Sequence, residues 1–104
     1  MKKELQEEYE KYKAINSADG YSKAVVTAGE SVMKALDDGE TPEKAIKTLE
    51  TSNLTMFMAG AAIQAVVHFH ERGEEVRVYW NKKYGSEAKK GVVNPAIMTF
   101  KGKK

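Results

Sequence analysis

Apolar residues recur along most of this chain at the three- and four-residue spacing that places them on one side of an α-helix. The pattern is clearest in residues 21–38, where the opposite side carries lysine, threonine and acidic residues. Such a helix packs on one side only, and Gly39 is a suitable residue to end it. Its apolar side comprises Tyr21, Ala24, Val25, Ala28, Val32, Ala35 and Leu36.

Local signals mark the limits of the helices that follow. Thr41 and Pro42 favour the start of a short helix, because threonine caps an unpaired backbone N–H and proline lacks one. Residues 54–72 are apolar nearly all round, which is typical of a central helix, and we expect Gly73 to end it. We expect a last helix to end at Gly85. The apolar sides of the short and the last helix are Ala45, Ile46 and Leu49, and Val76, Tyr79, Trp80 and Tyr84.

The two ends of the chain depart from this pattern. Residues 3–15 carry only a thin apolar stripe, so we expect residues 1–18 to form a loosely held N-terminal helix or one that docks on a partner. Residues 86–104 lack helical period, and the proline that follows Asn94 favours extended chain there. The predicted fold is all-α: one domain over residues 1–104, a small bundle of about five helices with an extended apolar C-terminal tail.

The predicted tail is too apolar to remain in water. Exposure forgoes roughly 1.5–3 kcal/mol for each large apolar side chain that could be buried. We therefore expect the tail to lie across the bundle near Tyr79 and Trp80, or across the same surface of a second copy, an exchange that favours a homodimer. Its apolar residues are Val92, Val93, Ala96, Ile97, Met98 and Phe100.

Composition indicates an ordinary globular protein, with 41% hydrophobic and 31% charged residues. The chain has no cysteine, which excludes disulfides and thiolate metal sites and suits the cytoplasm. The most apolar stretch, residues 54–69, is shorter than the ~20 residues that a membrane span needs. No apolar stretch follows the basic start, as it would in a signal peptide. We expect a cytoplasmic protein that does not enter the membrane.

Catalytic and metal-binding patterns have little support in the sequence. His68 and His70 are the only histidines, and on a helix their side chains point about 200° apart, so they would not share a metal ion. No G-x-S-x-G, G-x-G-x-x-G or Walker pattern occurs. Acidic pairs such as Asp37-Asp38 lie at predicted helix ends. We expect no catalytic residue, metal site or cofactor, and no enzymatic activity.

Binding remains as the function, and two classes of partner fit the sequence. Protein interaction, including self-association, is the leading hypothesis, and its candidate residues are Leu5, Tyr9, Tyr12, Ile97, Met98 and Phe100. Nucleic-acid binding is the alternative, because residues 51–104 carry nine Lys or Arg residues against four acidic ones, interleaved with aromatics. Its candidate residues are Arg77, Lys82, Lys83, Lys89 and Lys90. The aromatics share the apolar side of their helix, which favours burial in the core.

Four segments carry a resemblance to other proteins: DGYSKAVV, FMAGAA, GEEVRVYWNKKYG and GVVNPAIMT. Together they resemble a set of small uncharacterised bacterial proteins, several of them phage-encoded, with D-G-Y-S, G-E-E-x-R and G-V-[VL]-N-P-A motifs. The resemblance spans about residues 19–100. It implies a phage or prophage accessory protein in the bacterial cytoplasm. That set has no established activity, so the resemblance assigns no residue a role.

Overall fold

Five α-helices make up most of residues 1–89, the part of the chain that this computed structural model describes. In order they are α1 Gln6–Ile15, α2 Gly20–Asp37, α3 Pro42–Glu50, α4 Met56–Phe69 and α5 Gly73–Lys89, and a 3-10 helix, Lys3–Leu5, precedes α1. The described residues contain no β-strand. The predicted all-α fold with five helices is confirmed. None of the helices within residues 1–89 is both long enough and apolar enough to cross a bilayer.

Side-chain caps set the starts of three helices. Asp19, Thr41 and Thr55 each accept a hydrogen bond from the backbone N–H three residues further along, at the starts of α2, α3 and α4. These bonds satisfy N–H groups that have no partner inside the helix. The predicted start of α3 at Thr41 and Pro42 is therefore confirmed.

Gly39 ends the α2 segment, as the sequence predicted. Its φ is 85°, in the left-handed region that glycine adopts without steric cost. The Gly39 N–H bonds to the carbonyl oxygen of Leu36, and the Glu40 N–H bonds to that of Ala35, both at 3.0 Å. This pair of bonds satisfies carbonyls that the end of the helix would leave without partners.

Gly73 does not end α4, contrary to the prediction. The helix stops at Phe69, His70 is extended, and Gly73 is the first residue of α5. A β-carbon at Gly73 would lie 2.5 Å from the Cα of Val67 and closer still to the carbonyl oxygen of Val66. Glycine is needed here because α5 begins directly against the backbone of the last turns of α4.

The predicted end of the last helix at Gly85 is also wrong. Gly85 lies inside α5, which continues to Lys89. A glycine inside a helix costs about 1 kcal/mol relative to alanine, which is too little to break a helix that tertiary packing holds. Residues 86–89, predicted to belong to a non-helical tail, are therefore helical. The rest of that predicted tail lies outside the described residues.

The core lies where α2, α3, α4 and α5 meet. α4 packs against α2 and α5, and α3 also packs against both of these helices. The largest fully buried side chains of the core are Val32, Ile46, Leu49, Val66 and Val76. The predicted apolar side of α3 is buried throughout. Ala24 and Ala35 of the predicted α2 stripe are only half-buried, whereas α2 also buries Val26 and Met33. Tyr21, which was predicted to lie on that stripe, is 46% exposed.

The first helix is held by polar contacts in addition to its thin apolar stripe. Tyr9 is buried, with its ring edge-on to Phe69 at 5.0 Å between centroids. Its hydroxyl donates a hydrogen bond to Glu30 of α2 at 2.6 Å, and the Lys13 ammonium lies 2.9 Å from the same carboxylate. The Lys2 N–H bonds to the carbonyl oxygen of Phe69. These contacts place α1 across the outer side of α2 and α4.

Candidate functional site

A groove lies between α1, the start of α2 and the outer side of α4, with a volume of about 730 Å³. We call it the α1–α4 groove and define it by the side chains that line it. The apolar ones are Tyr12, Ile15, Tyr21, Val25, Ala61, Ala65 and Phe69. The polar ones are Glu8, Lys11, Asn16, Ser22, Gln64 and His68.

Exposed apolar side chains concentrate at one end of this groove. Ile15 is 76% exposed and Tyr21 46% exposed, and both line the groove. Phe57, 59% exposed, extends the apolar surface, since its ring centroid lies 6.3 Å from that of Tyr21. The other exposed large apolar residue among those described is Val78 of α5. A cluster of such side chains, unlike a single one, is typical of an interaction surface.

The polar turn between α1 and α2 brings these side chains together. The side-chain amide of Asn16 donates to the carbonyl oxygen of Tyr12 at 2.8 Å, and Ser17 donates to that of Ala14 at 3.0 Å. These bonds close the end of α1, and the Asp19 cap then starts α2 directly afterwards. Ile15 and Tyr21 therefore stand on either side of a short turn.

The floor of the groove is open because α4 presents small residues there. Ala61 and Ala65 lie one helical turn apart on the same side of α4 as Phe57. Their single methyl groups leave a depression between the longer side chains of α1 and α2. The small residues of α4 therefore have two roles. Ala59 and Ala62 are fully buried against neighbouring helices, whereas Ala61 remains half-buried in the groove.

The His68 ring contacts the Glu8 carboxylate at the other end of the groove. His68 lies in the last turn of α4 and Glu8 in the first turn of α1, and more than half of each side chain is exposed. The His68 ring also stands edge-on to Phe69, with 4.6 Å between centroids. The α1–α4 groove is thus apolar and open at the Phe57 end and polar at the His68 end.

His70 lies in a different environment, in the core between α2, α4 and α5. It is 4% exposed; its Nδ1 accepts the backbone N–H of Arg72 at 3.0 Å, and its Nε2 lies 2.7 Å from an Asp37 carboxylate oxygen. Because Nδ1 accepts a hydrogen bond, the ring proton belongs on Nε2, which donates to Asp37. Burial acts to raise the Asp37 pKa, but the hydrogen bond from His70 and the nearby N-terminal ammonium together outweigh it and hold the pKa below its usual value.

The two histidines diverge, but not for the predicted reason, because His70 is extended and lies beyond the end of α4. His68 reaches α1 and His70 reaches the end of α2, so the two rings have separate partners. Both ring nitrogens of His70 are occupied, which leaves neither to act as a base or a ligand. Across residues 1–89, no three His, Asp or Glu side chains stand close enough together to hold a metal ion.

Acidic partners neutralise two of the basic residues that were predicted to bind nucleic acid. Arg77 is paired with Glu74 on its own helix, and Lys83 is paired with Glu50 at the end of α3. Lys82 is exposed on α5. The side chain of Lys89 and the whole of Lys90 fall outside the described part of the structure.

The aromatic side chains of α5 near these basic residues pack in or against the hydrophobic core. Trp80 is buried, with its ring 4.6 Å from that of Tyr84, and Tyr79 packs half-buried on the core. The Tyr84 hydroxyl donates to Glu50, and burial together with this carboxylate raises its pKa to about 12. The C-terminal tail was predicted to lie against this side of α5. That side is already covered largely by α3 and α4.

The predicted protein-interaction residues of the first helix contact the chain itself. Tyr9 is buried, and Leu5 and Tyr12 are half-buried against the core, with Tyr12 also lining the groove. The remaining predicted interaction residues, Ile97, Met98 and Phe100, lie outside the described residues.

Sequence reasoning missed Ile15 and Phe57 as surface residues. The available signal was that Ile15 lies about 120° around the helix from Tyr9, the buried residue of the stripe, although it is close to Tyr12. An apolar residue off the buried stripe of an amphipathic helix points away from the core. Phe57 gave no such signal, because α4 is apolar nearly all round.

Comparisons of the chain with protein-family models, with curated proteins and with solved structures found no match, so no residue of the groove takes a role from a relative.

Proposed function

We propose that this protein acts by binding another protein, and that the α1–α4 groove receives an apolar segment of that partner. The observation that carries the proposal is that three of the four exposed large apolar residues in the described chain, Ile15, Tyr21 and Phe57, meet at one groove. Water contact at these side chains is removed most simply by a second apolar surface.

The size of the apolar cluster sets the expected affinity. Complete burial of a large apolar side chain contributes roughly 1.5–3 kcal/mol, so three of them supply at most roughly 5–9 kcal/mol. Lost translational freedom and side-chain ordering then reduce this figure by several kcal/mol. Contacts made by the partner's own side chains must offset that loss, which favours a complex of micromolar affinity over a nanomolar one.

The charged residues favour a protein partner over nucleic acid. A phosphate contact at Arg77 or Lys83 would have to displace Glu74 or Glu50. The buried aromatics of α5 would also have to leave the core before they could stack on bases. These contacts argue against nucleic-acid binding as a second function.

The test compares capture by a groove variant with capture by a matched control. Ile15→Asp with Phe57→Asp places one charge in the groove and one on the apolar surface beside it, whereas Val78→Asp places one on α5, at a site about as exposed as Phe57. The resemblance to phage-encoded proteins makes a bacterial lysate the natural source of partner. Melting curves from circular dichroism must first show that all three proteins are folded.

We expect the original protein and Val78→Asp to capture the same partner, and the groove variant to recover at least about 10-fold less of it, since charges buried in an apolar contact are costly. Equal recovery by all three proteins would show that the partner binds elsewhere.

A further inference from the structure

The chain carries a segment with the chemistry that the groove should accept. Residues 90–104 follow the end of α5, and they contain no acidic residue. Within them, apolar side chains are dense between positions 92 and 100. They are Val92, Val93, Ala96, Ile97, Met98 and Phe100.

α5 ends on the side of the domain where the open end of the groove lies. Gly73, at the start of α5, lies against Val66 near the end of α4. Lys83, ten residues later, contacts Glu50 at the end of α3, shortly before α4 begins. α5 therefore runs antiparallel to α4, and its last turn lies at the end of the domain where α4 starts. Phe57 belongs to that first turn of α4.

The segment is long enough to reach the groove and to run along it. Ten residues of extended chain, from 91 to 100, span up to about 33 Å at about 3.3 Å per residue. The groove side of α4 from Phe57 to His68 is only about 17 Å long at 1.5 Å per residue. The remaining length allows the chain to cross α4, whose diameter is about 10 Å.

The apolar side of α5 is the other surface that the segment could reach, and it is already covered. The side of α5 that bears Trp80 is packed on α3 and α4, with Trp80 buried and Tyr79 half-buried. The α1–α4 groove, by contrast, has its apolar side chains exposed.

We infer that residues 92–100 occupy the α1–α4 groove of their own chain, and that a partner binds by displacing them. The inference rests on the proposed function, because it assigns a regulator to the same groove. Tethering supplies an effective concentration on the order of millimolar, so even a weak apolar contact keeps the segment in place. A partner must therefore bind more tightly than the groove alone requires.

Introduced cysteine pairs test the inference on the full chain. The chain has no cysteine of its own, so two introduced thiols can pair only with each other or with another copy. The groove pair is Gln64→Cys with Ile97→Cys: Gln64 is an exposed residue of the groove, and Ile97 belongs to the segment. The control pairs Ile97→Cys with Val78→Cys, which is exposed on α5 away from the groove.

Under mild oxidation we expect the groove pair to form a disulfide within one chain at least about 10-fold faster than the control pair, because the bond requires Cα atoms within about 7 Å. Mass spectrometry and a non-reducing gel report the product. Equal rates would overturn the inference. Disulfide-linked dimers as the main product would also overturn it, and would assign the groove to the segment of a second copy.

Partner capture separates this inference from the function on which it rests. With the groove pair oxidised, recovery of the partner should fall at least about 10-fold and return when a reductant is added. If the disulfide does not form but Ile15→Asp with Phe57→Asp still loses the partner, the inference fails and the proposed function stands. If the oxidised protein captures the partner normally, the proposed function fails and the segment's position stands.

Discussion

A β-carbon at position 73 would collide with the backbone of α4, so Gly73→Ala is expected to destabilise the protein. The added carbon would lie 2.5 Å from the Cα of Val67, where ordinary contacts begin near 3.4 Å. Both the Val67 Cα and the nearby Val66 carbonyl belong to the main chain, so no side-chain rotation relieves the overlap. α4 and α5 must move apart by about 1 Å, which loosens the packing of Val76 and Trp80.

The size of the effect follows from overpacking. Forcing an extra carbon into a packed contact costs about 1–3 kcal/mol, and an overlap with main-chain atoms lies at the upper end of that range. The expected loss is about 2–3 kcal/mol in the free energy of unfolding. In a domain of this size that lowers the melting temperature by roughly 10–20 °C.

Gly60→Ala is the matched control. Gly60 lies inside α4, and a β-carbon there would meet no atom within 4 Å. The same substitution should therefore stabilise the protein by about 0.5–1 kcal/mol, through the better helix propensity of alanine.

Urea unfolding followed by fluorescence measures both substitutions. Trp80 is the only tryptophan, and it is buried on α5, so its emission reports the helix contact in question. A Gly73→Ala protein as stable as the original would refute the close approach of α5 to α4. It would also remove the antiparallel placement on which the route of residues 90–104 depends.

Four further outcomes are expected. His70→Ala should cost about 2–3 kcal/mol in urea unfolding, because it leaves a cavity and removes the acceptor of the Arg72 backbone N–H. His68→Ala should cost less than about 1 kcal/mol, because more than half of its side chain is exposed, and equal losses would contradict the assigned environments. The Glu50 carboxyl is partly buried, which acts to raise its pKa, but hydrogen bonds from Lys83 and Tyr84 lower the pKa below its usual value. Its contribution to stability is therefore present above the ordinary glutamate pKa and is lost as pH falls through the lowered one, so Glu50→Gln should unfold with a weaker dependence on pH below about 4.5. Zinc or nickel added to untagged protein should give no stoichiometric sub-micromolar binding by calorimetry, and such binding would revive the metal hypothesis. Fluorescence anisotropy should detect no nucleic-acid complex tighter than roughly 10 μM at physiological salt; a nanomolar, sequence-selective complex that Lys82→Ala with Lys83→Ala weakens would restore the alternative function.

Features that depend on neighbouring residues in the chain were predictable from the sequence. Thr41 starts α3 and Gly39 ends the α2 segment through hydrogen bonds that span only a few residues, so the residue types alone indicate them. The buried side of α3 and the centre of that of α2 followed from helical period for the same reason.

Features that depend on contacts between helices were not predictable. Gly73 and Gly85 both look like helix stops, but Gly73 starts a helix where another backbone is close, and Gly85 lies within a helix. Glycine permits a turn, a close approach or a helix interior, and only its neighbours in space decide among them.

The groove is the clearest case of this division. Residue types determine that Ile15 and Phe57 are apolar and that the chain turns between α1 and α2. Which apolar side chains remain in water depends on how α1 lies across α2 and α4, and that placement is held by contacts such as Tyr9 with Glu30, residues that are distant in sequence. Periodicity describes one helix at a time, whereas exposure is a property of the helices packed together.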